Sequence, residues 1–290
     1  MINLKLTKFL FVGLISIVSA PILAKSQGEY PASVSELKIV SHTKRMPGIA
    51  YLAAGQGPHP TVLLLHGYPG NEKNLDVAQA LRRLGWNVVF FHYRGAWGSE
   101  GEFSYRNAEQ DVQVVLQYMS DAKNAQRLRI DPLRISIVGH SMGGHMALAG
   151  IVDNPSVKCA VAYDGANMGA NGRGLGADEA SKKMWKDYGD SLFMLNGWSG
   201  TKAQDEIAQY GAELDLVKRV KKINGRPILL IPADTDVIPM DIHIQPLVAA
   251  IEASKDSQLS VVLINDDHSF SSSRQTLIET TAKFLKASCQ

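Results

Sequence analysis

The chain has 290 residues, 45% of them apolar and 20% charged, with 30 Lys plus Arg against 28 Asp plus Glu. That composition supplies a large core and excludes a disordered chain, and the near-cancelling charge leaves no chain-wide positive field to hold a nucleic acid. Two cysteines, Cys159 and Cys289, are too few for a disulfide scaffold and stand in no CxxC or Cys/His cluster that would hold zinc.

Lys5 and Lys8 precede a charge-free apolar run over residues 9–20 that is too short to span a bilayer, the pattern of a cleaved secretory signal. Small Ala24 places cleavage after residue 24. The two lysines leave with this segment and no acid does, so residues 25–290 carry a formal net charge of zero. A periplasmic or secreted location without a stable membrane anchor is expected. Although that compartment is oxidising, Cys159 falls in a strand-like run and Cys289 at a chain end that should fray, and the two are expected to stay unpaired.

After the leader, strands and helices alternate. Residues 37–41 and 49–53 read as an opening pair of strands and 61–65 (TVLLL) as a fully buried one. A helix over 74–84 stops at Gly85, and 87–91 is the next buried run. The helix over 107–120 sets Val112, Val115, Leu116 and Met119 on one face. Strand 135–138, helix 142–151 and strand 158–163 follow. From about 165 to 225 no strand-like run occurs, only a Gly-rich loop and helical pattern, so a helical insertion is expected there. Strand 227–231 (PILLI) resumes the sheet, and helix 239–254, strand 258–264 and helix 273–287 complete it. Buried strands alternating with helices imply a mostly parallel α/β sheet covered on both faces.

The run over residues 135–144 (ISIVGHSMGG) is strand, then GxSxG, then helix, the context a nucleophile elbow requires. Gly139 and Gly143 allow a turn tight enough to push Ser141 out of the sheet, and the following helix presents its positive N-terminus and the Met142 amide to an oxyanion. A serine hydroxyl needs a base, and the base a buried acid. Of the eight histidines, His268 alone lies past the last buried strand, on a loop at the edge where Ser141 would emerge. Asp234 and Asp236 both follow PILLI within a turn, and a one-residue shift of the strand end exchanges them. Asp266 and Asp267 more simply cap the loop before His268. His140 and His145 flank Ser141 with no carboxylate spaced to complete a metal site, His66 buttresses the loop after residue 65, and Arg94 pins its own loop.

On these residues the chain resembles the α/β-hydrolase superfamily. TVLLLHGYPGN (61–71) is similar to that family's strand and His-Gly-X oxyanion loop; FHYRGAWGSEG (91–101) and RIDPLRISIVGHSMGG (129–144) resemble its dienelactone-hydrolase and prolyl-oligopeptidase-like branches. ILLIPADTDVIP (228–239) matches the strand and acid turn, and INDDHSF (264–270) the histidine loop. The resemblance implies an α/β-hydrolase fold over residues 25–290 with a helical lid. It also implies a catalytic triad of Ser141, Asp236 and His268, the Tyr68 and Met142 amides as oxyanion hole, and no cofactor. The expected activity is hydrolysis of a small-molecule ester or related acyl bond through an acyl-enzyme. A serine peptidase on the same triad and a non-catalytic binding protein on a hydrolase scaffold are the alternatives. In the insertion, Met168, Met184, Trp185, Tyr188, Phe193, Met194 and Trp198 either line an apolar pocket or form the lid's own core. Trp185 and Trp198 are the expected substrate contacts, and Gly169, Gly172, Gly174 and Gly176 the expected hinge.

Overall fold

Strands that are apolar on both sides must be covered on both faces, and the chain achieves this with one eight-stranded sheet. The computed structural model describes residues 29–171, 178–233, 237–254 and 256–289; the expected leader lies outside them. Strands β1 (Ser33–Ser41) and β2 (Lys44–Leu52) form an antiparallel hairpin. The remaining strands are β3 (His59–Leu65), β4 (Asn87–Phe91), β5 (Ile130–His140), β6 (Val157–Tyr163), β7 (Ile228–Ile231) and β8 (Leu259–Val261). The order is β1-β2-β4-β3-β5-β6-β7-β8, and every pairing from β4 to β8 is parallel.

Alternation along each strand divides the core in two. Leu63 and Leu65 of β3 join the layer under helices α2 (Tyr105–Ser120) and α4 (Met142–Asp153), whereas Val62 and Leu64 join the layer under α1 (Leu75–Arg83) and the last helix, α10 (Arg274–Ser288). A short helix α3 (Ala122–Leu128) links α2 to β5. Between β6 and β7 the described residues form a turn of 3₁₀ helix (Met168–Ala170), then α5 (Glu179–Asp190), α6 (Gly200–Leu214), α7 (Leu216–Arg219) and a second 3₁₀ segment (Val220–Ile223). The helix expected over 239–254 is two pieces, α8 (Met240–His243) and α9 (Gln245–Glu252), because Pro246 has no amide hydrogen to continue the ladder. No helix among the described residues is long and apolar enough to cross a membrane.

The expectation for the cysteines is overturned: Cys159 and Cys289 form a disulfide, with Cα atoms 5.6 Å apart. The chain end does not fray, because α10 buries Leu277, Thr281 and Leu285 against the sheet, and the hydroxyls of Thr281 and Tyr163 lie 2.7 Å apart. This docking carries Cys289 onto the inner face of β6, where both cysteines are fully covered. The bridge closes a loop of 130 residues. Replacing Cys289 with Ser is therefore expected to lower the free energy of unfolding by about 2–5 kcal/mol, read from denaturant titrations of oxidised protein; equal midpoints for the two proteins would show that the bridge adds nothing.

Candidate active site

Parallel register brings the ends of β3, β5 and β6 level: Leu65 pairs with Gly139, and His140 with Tyr163. The residues just beyond these ends therefore meet at the C-terminal edge of the sheet, where open α/β sheets bind ligands. Ser141 sits at the tip of the turn from β5 to α4 with φ 59° and ψ −122°, a left-handed conformation rare for a residue with a Cβ. The turn is bounded by close approaches. A Cβ on Gly139 would stand 1.9 Å from the Gly143 carbonyl oxygen, and one on Gly143 would stand 2.3 Å from that of Leu65. The Ser141 amide donates to the Tyr163 carbonyl at 2.9 Å, which ties the turn to β6.

The loop after β3 presses on the same turn, since a Cβ on Gly67 would meet the Ser141 Cβ at 2.9 Å. Tyr68, the next residue, lines the same cavity as Ser141 and Met142. Among the described residues neither the Tyr68 nor the Met142 amide donates to a backbone carbonyl. Buried His66 steadies this loop: its Nδ1 is 2.8 Å from the Gly67 carbonyl oxygen and its Nε2 is 3.3 Å from His92 Nδ1, while Trp97 Nε1 donates to the Pro69 carbonyl at 2.8 Å. Burial, with the neighbouring His92, lowers the pKa of His66 to about 3, and burial, with Lys73 nearby, lowers that of His92 to about 4.

His268 leaves β8 on a tight loop. Asp267 accepts the amides of Ser269 and Ser271, Asp266 accepts that of Ser272, and Arg274 joins the loop to Asp76 of α1 while donating to the Ser269 carbonyl at 2.8 Å. The His268 Nδ1–H donates to Asp164 Oδ2 at 2.6 Å. Asp164 stands one residue past β6, fully buried, and its second oxygen accepts the Ala233 amide at 3.1 Å. The acid expected from the resemblance, Asp236, lies outside the described residues, as does Asp234; the carboxylate that holds the imidazole follows β6, the strand next to the one that leads to Ser141. The sequence signal was available, since VAYDG places an Asp directly after a buried strand, as Ser141 follows β5.

His140, immediately before Ser141, supports the imidazole from behind. Its ring packs against that of His268 at a 43° tilt with centroids 4.6 Å apart, and its Nε2–H donates to the His268 carbonyl at 2.7 Å. Burial, with His268 beside it, lowers its pKa to about 3, so it remains a neutral donor. His145 is likewise structural, bonded to Glu109 of α2 at 2.8 Å and accepting the Met168 amide at 3.2 Å. Arg94 donates to Asp111, Asn107 and Gln110 within its own neighbourhood. Among the described residues no group of three or more His, Cys, Asp or Glu is placed to hold a metal ion.

Ser141 and His268 line one cavity of about 520 Å³, whose other walls include Met142, Tyr68, Tyr105, Met168, Trp185 and Ile238. No hydrogen bond joins Ser141 Oγ to His268 among the described residues; free enzymes commonly close this bond only around substrate. Trp185 lines the cavity as expected of a substrate contact, but Trp198 does not. Its indole N–H donates to the Tyr68 hydroxyl at 2.8 Å and its ring packs on Phe103 and Tyr105, so it stands behind the loop after β3. Burial pushes the Tyr68 phenol up to about 12, so it keeps its proton. Gly169 is no hinge: a Cβ there would lie 2.3 Å from the Asp215 amide nitrogen, which makes it a point of tight packing. Gly172, Gly174 and Gly176 lie outside the described residues.

A parallel sheet carrying a serine on a strained strand-to-helix turn, with an acid-bound imidazole on a later loop, defines a class of α/β enzymes. A model of the alpha/beta hydrolase family matches residues 62–279, and the chain belongs to that family. A lysophosphatidylserine lipase of Danio rerio is 34% identical over 100 residues, which are 33% of this chain and 24% of the lipase. The chain spans between about a quarter and a half of the length of the curated relatives it matches. Among solved structures, the protein Est1E of Butyrivibrio proteoclasticus with ferulic acid bound superposes with a TM-score of 0.67 at 16% identity, covering 87% of this chain and 98% of that one. An acylaminoacyl peptidase of Pyrococcus horikoshii gives 0.62 at 15%, covering 89% and 42%. At these identities the structural likeness concerns the fold.

The buried histidines give the protein a pH signature. His66, His92 and His140 are neutral when folded, with pKa values lowered to about 3 or 4, whereas in the unfolded chain each takes a proton near pH 6.5. The unfolded state thus binds more protons as pH falls below about 6.5, and stability falls with it, by about 1.4 kcal/mol per pH unit for each histidine. Denaturant unfolding between pH 7 and 4.5 is expected to show this slope. His140→Gln, which keeps a donor for the His268 carbonyl, should reduce it by about one proton; an unchanged slope would contradict a neutral, buried His140.

Proposed function

We propose that the protein is an exported serine hydrolase that cleaves carboxylic esters through an acyl-enzyme. The observation that carries this reading is the 2.6 Å bond from His268 Nδ1–H to buried Asp164, which leaves the other imidazole nitrogen as the basic one on a residue that shares a cavity with Ser141. Ser141 Oγ attacks the ester carbonyl carbon and its proton passes to His268 Nε2. The tetrahedral oxyanion is held by the amides of Tyr68 and Met142, the second of these at the positive end of α4. Collapse breaks the bond to the leaving oxygen, which takes the proton from His268 and departs as alcohol. Water then attacks the acyl-enzyme with His268 again as base, releasing the acid and returning a proton to Ser141. Asp164 fixes the tautomer and steadies the imidazolium.

Two features favour ester over peptide. The cavity wall is dominated by Met, Ile and aromatic side chains, and no Asp, Glu, Lys or Arg lines it among the described residues to fix a peptide's charged terminus. Export is supported by the Lys5 and Lys8 leader pattern together with the disulfide, which belongs to oxidising compartments. The substrate is a small molecule, and no cofactor enters the steps above.

Ser141→Ala is expected to lower kcat on p-nitrophenyl esters by about 10³-fold or more and to abolish labelling by a fluorophosphonate. Asp164→Asn should cost about 10³–10⁴-fold by reversing the tautomer of His268. Labelling that survives in Ser141→Ala removes the mechanism, and a loss that falls on Asp236→Asn in place of Asp164→Asn reassigns the acid. Faster cleavage of aminoacyl or dipeptidyl amides than of esters would turn the reading to a peptidase.

A further inference from the structure

The catalytic cavity is not the whole of the space beneath the insertion. A second chamber of about 400 Å³ lies between α5 and α6, and Tyr68, Tyr105, Asn171 and Trp185 line both. These four residues form a shared waist. Beyond it the far wall is built by Ala203, Ile207 and Ala208 of α6, with Gly200 at the start of the helix.

The direction of the second chamber assigns its contents. His268, Ile238 and His243 line the first cavity and not the second. The leaving oxygen must face His268 to receive its proton, and the carbonyl oxygen must face the amides of Tyr68 and Met142. What remains on the carbonyl carbon is the acyl substituent, and the path open to it runs past Tyr68 and Trp185, away from His268. The chamber's one charged group and its glutamine are already engaged, and its asparagine faces a thioether: Lys182 Nζ is 2.7 Å from Glu179 Oε1, Gln204 Nε2 donates to the Lys182 carbonyl at 2.9 Å, and Asn171 Nδ2 lies 3.8 Å from Met168 Sδ. An anionic tail would find no unpaired cation there, whereas a hydrocarbon chain would lie on Ala203, Ile207 and the face of Trp185.

The chamber is also preformed. Helices α5 and α6 touch at glycines, where a Cβ on Gly200 would stand 2.0 Å from the Lys186 carbonyl oxygen, so their separation is set by backbone contact. Glu206, six residues beyond Gly200 on α6, accepts the amides of Tyr105 and Arg106 at 3.0 and 2.9 Å and fastens the helix to the start of α2.

We propose that the second chamber is an acyl-chain subsite and that the substrates are esters of extended apolar acids, with Ala203, Ile207 and Ala208 setting the length accepted. This inference rests on the serine-hydrolase reading above. On p-nitrophenyl esters, kcat/KM should rise from acetate to octanoate by up to about fourfold per methylene as the chain enters the chamber. Ala203→Trp and Ala208→Trp fill the chamber without touching the reacting groups. Each should abolish most of the gain on octanoate while leaving acetate hydrolysis within about twofold. Because Ala203 packs on the core, Ala208→Trp, at the chamber's solvent-exposed rim, decides the matter if Ala203→Trp does not fold. Octanoate no better than acetate in the unaltered protein, or a gain with chain length that persists in Ala208→Trp, would overturn the subsite. Acetate hydrolysis that does not depend on Ser141 would instead overturn the catalytic reading.

Discussion

The site depends on how closely three backbone segments approach one another at the end of the sheet. The loop after β3, the turn after β5 and the first turn of α4 meet with glycine at each point of contact, and at Gly139, Gly143 and Gly67 a single added carbon would overlap its neighbour. A strained Ser141 persists there because packing on every side over-determines it. The residue that follows Ser141 and the residue that follows Gly67 are held by the same contacts, so Met142, Tyr68 and Ser141 are positioned by one packing arrangement. The loop after β3 has its own rear support in neutral His66, the indole of Trp97 and the Trp198–Tyr68 bond.

Much of this was legible in the sequence because it is local. The buried runs, the GxSxG turn and the His-Gly loop each declare themselves within a dozen residues, and hydrophobic period plus glycine spacing is enough to place them. What was not legible depends on register between distant strands. That Asp164 reaches His268 follows from the pairing of His140 with Tyr163 and from the length of the loop after β8, neither of which is written near Asp164 itself. The same holds for Cys289, whose partner becomes evident only once α10 is laid across the sheet, and for Gly169, whose role is set by Asp215 some forty-five residues on.

The insertion shows why composition alone could not separate pocket from lid core. Its large side chains divide three ways. Met168, Met184, Trp185 and Tyr188 face the cavity, Met194 and Trp198 pack inward, and Phe193 is 91% exposed. Helical period would place several of these on a common stripe, but the two helices cross at glycines and bring only part of each stripe over the site. The result is a wall rich in thioether and aromatic groups without a Lys, Arg, Asp or Glu among the described residues, which favours shape and burial over charge in choosing what it holds.

The bond between Cys159 and Cys289 has a topological consequence. It makes a closed ring of the polypeptide from one to the other, and that ring contains Asp164, all of the insertion and His268, while Ser141 lies on the open stretch before it. A protease that severs any peptide link between residues 159 and 289 therefore produces no free fragment. Both halves stay tethered through sulfur, and Asp164 and the His268 it binds remain parts of one molecule.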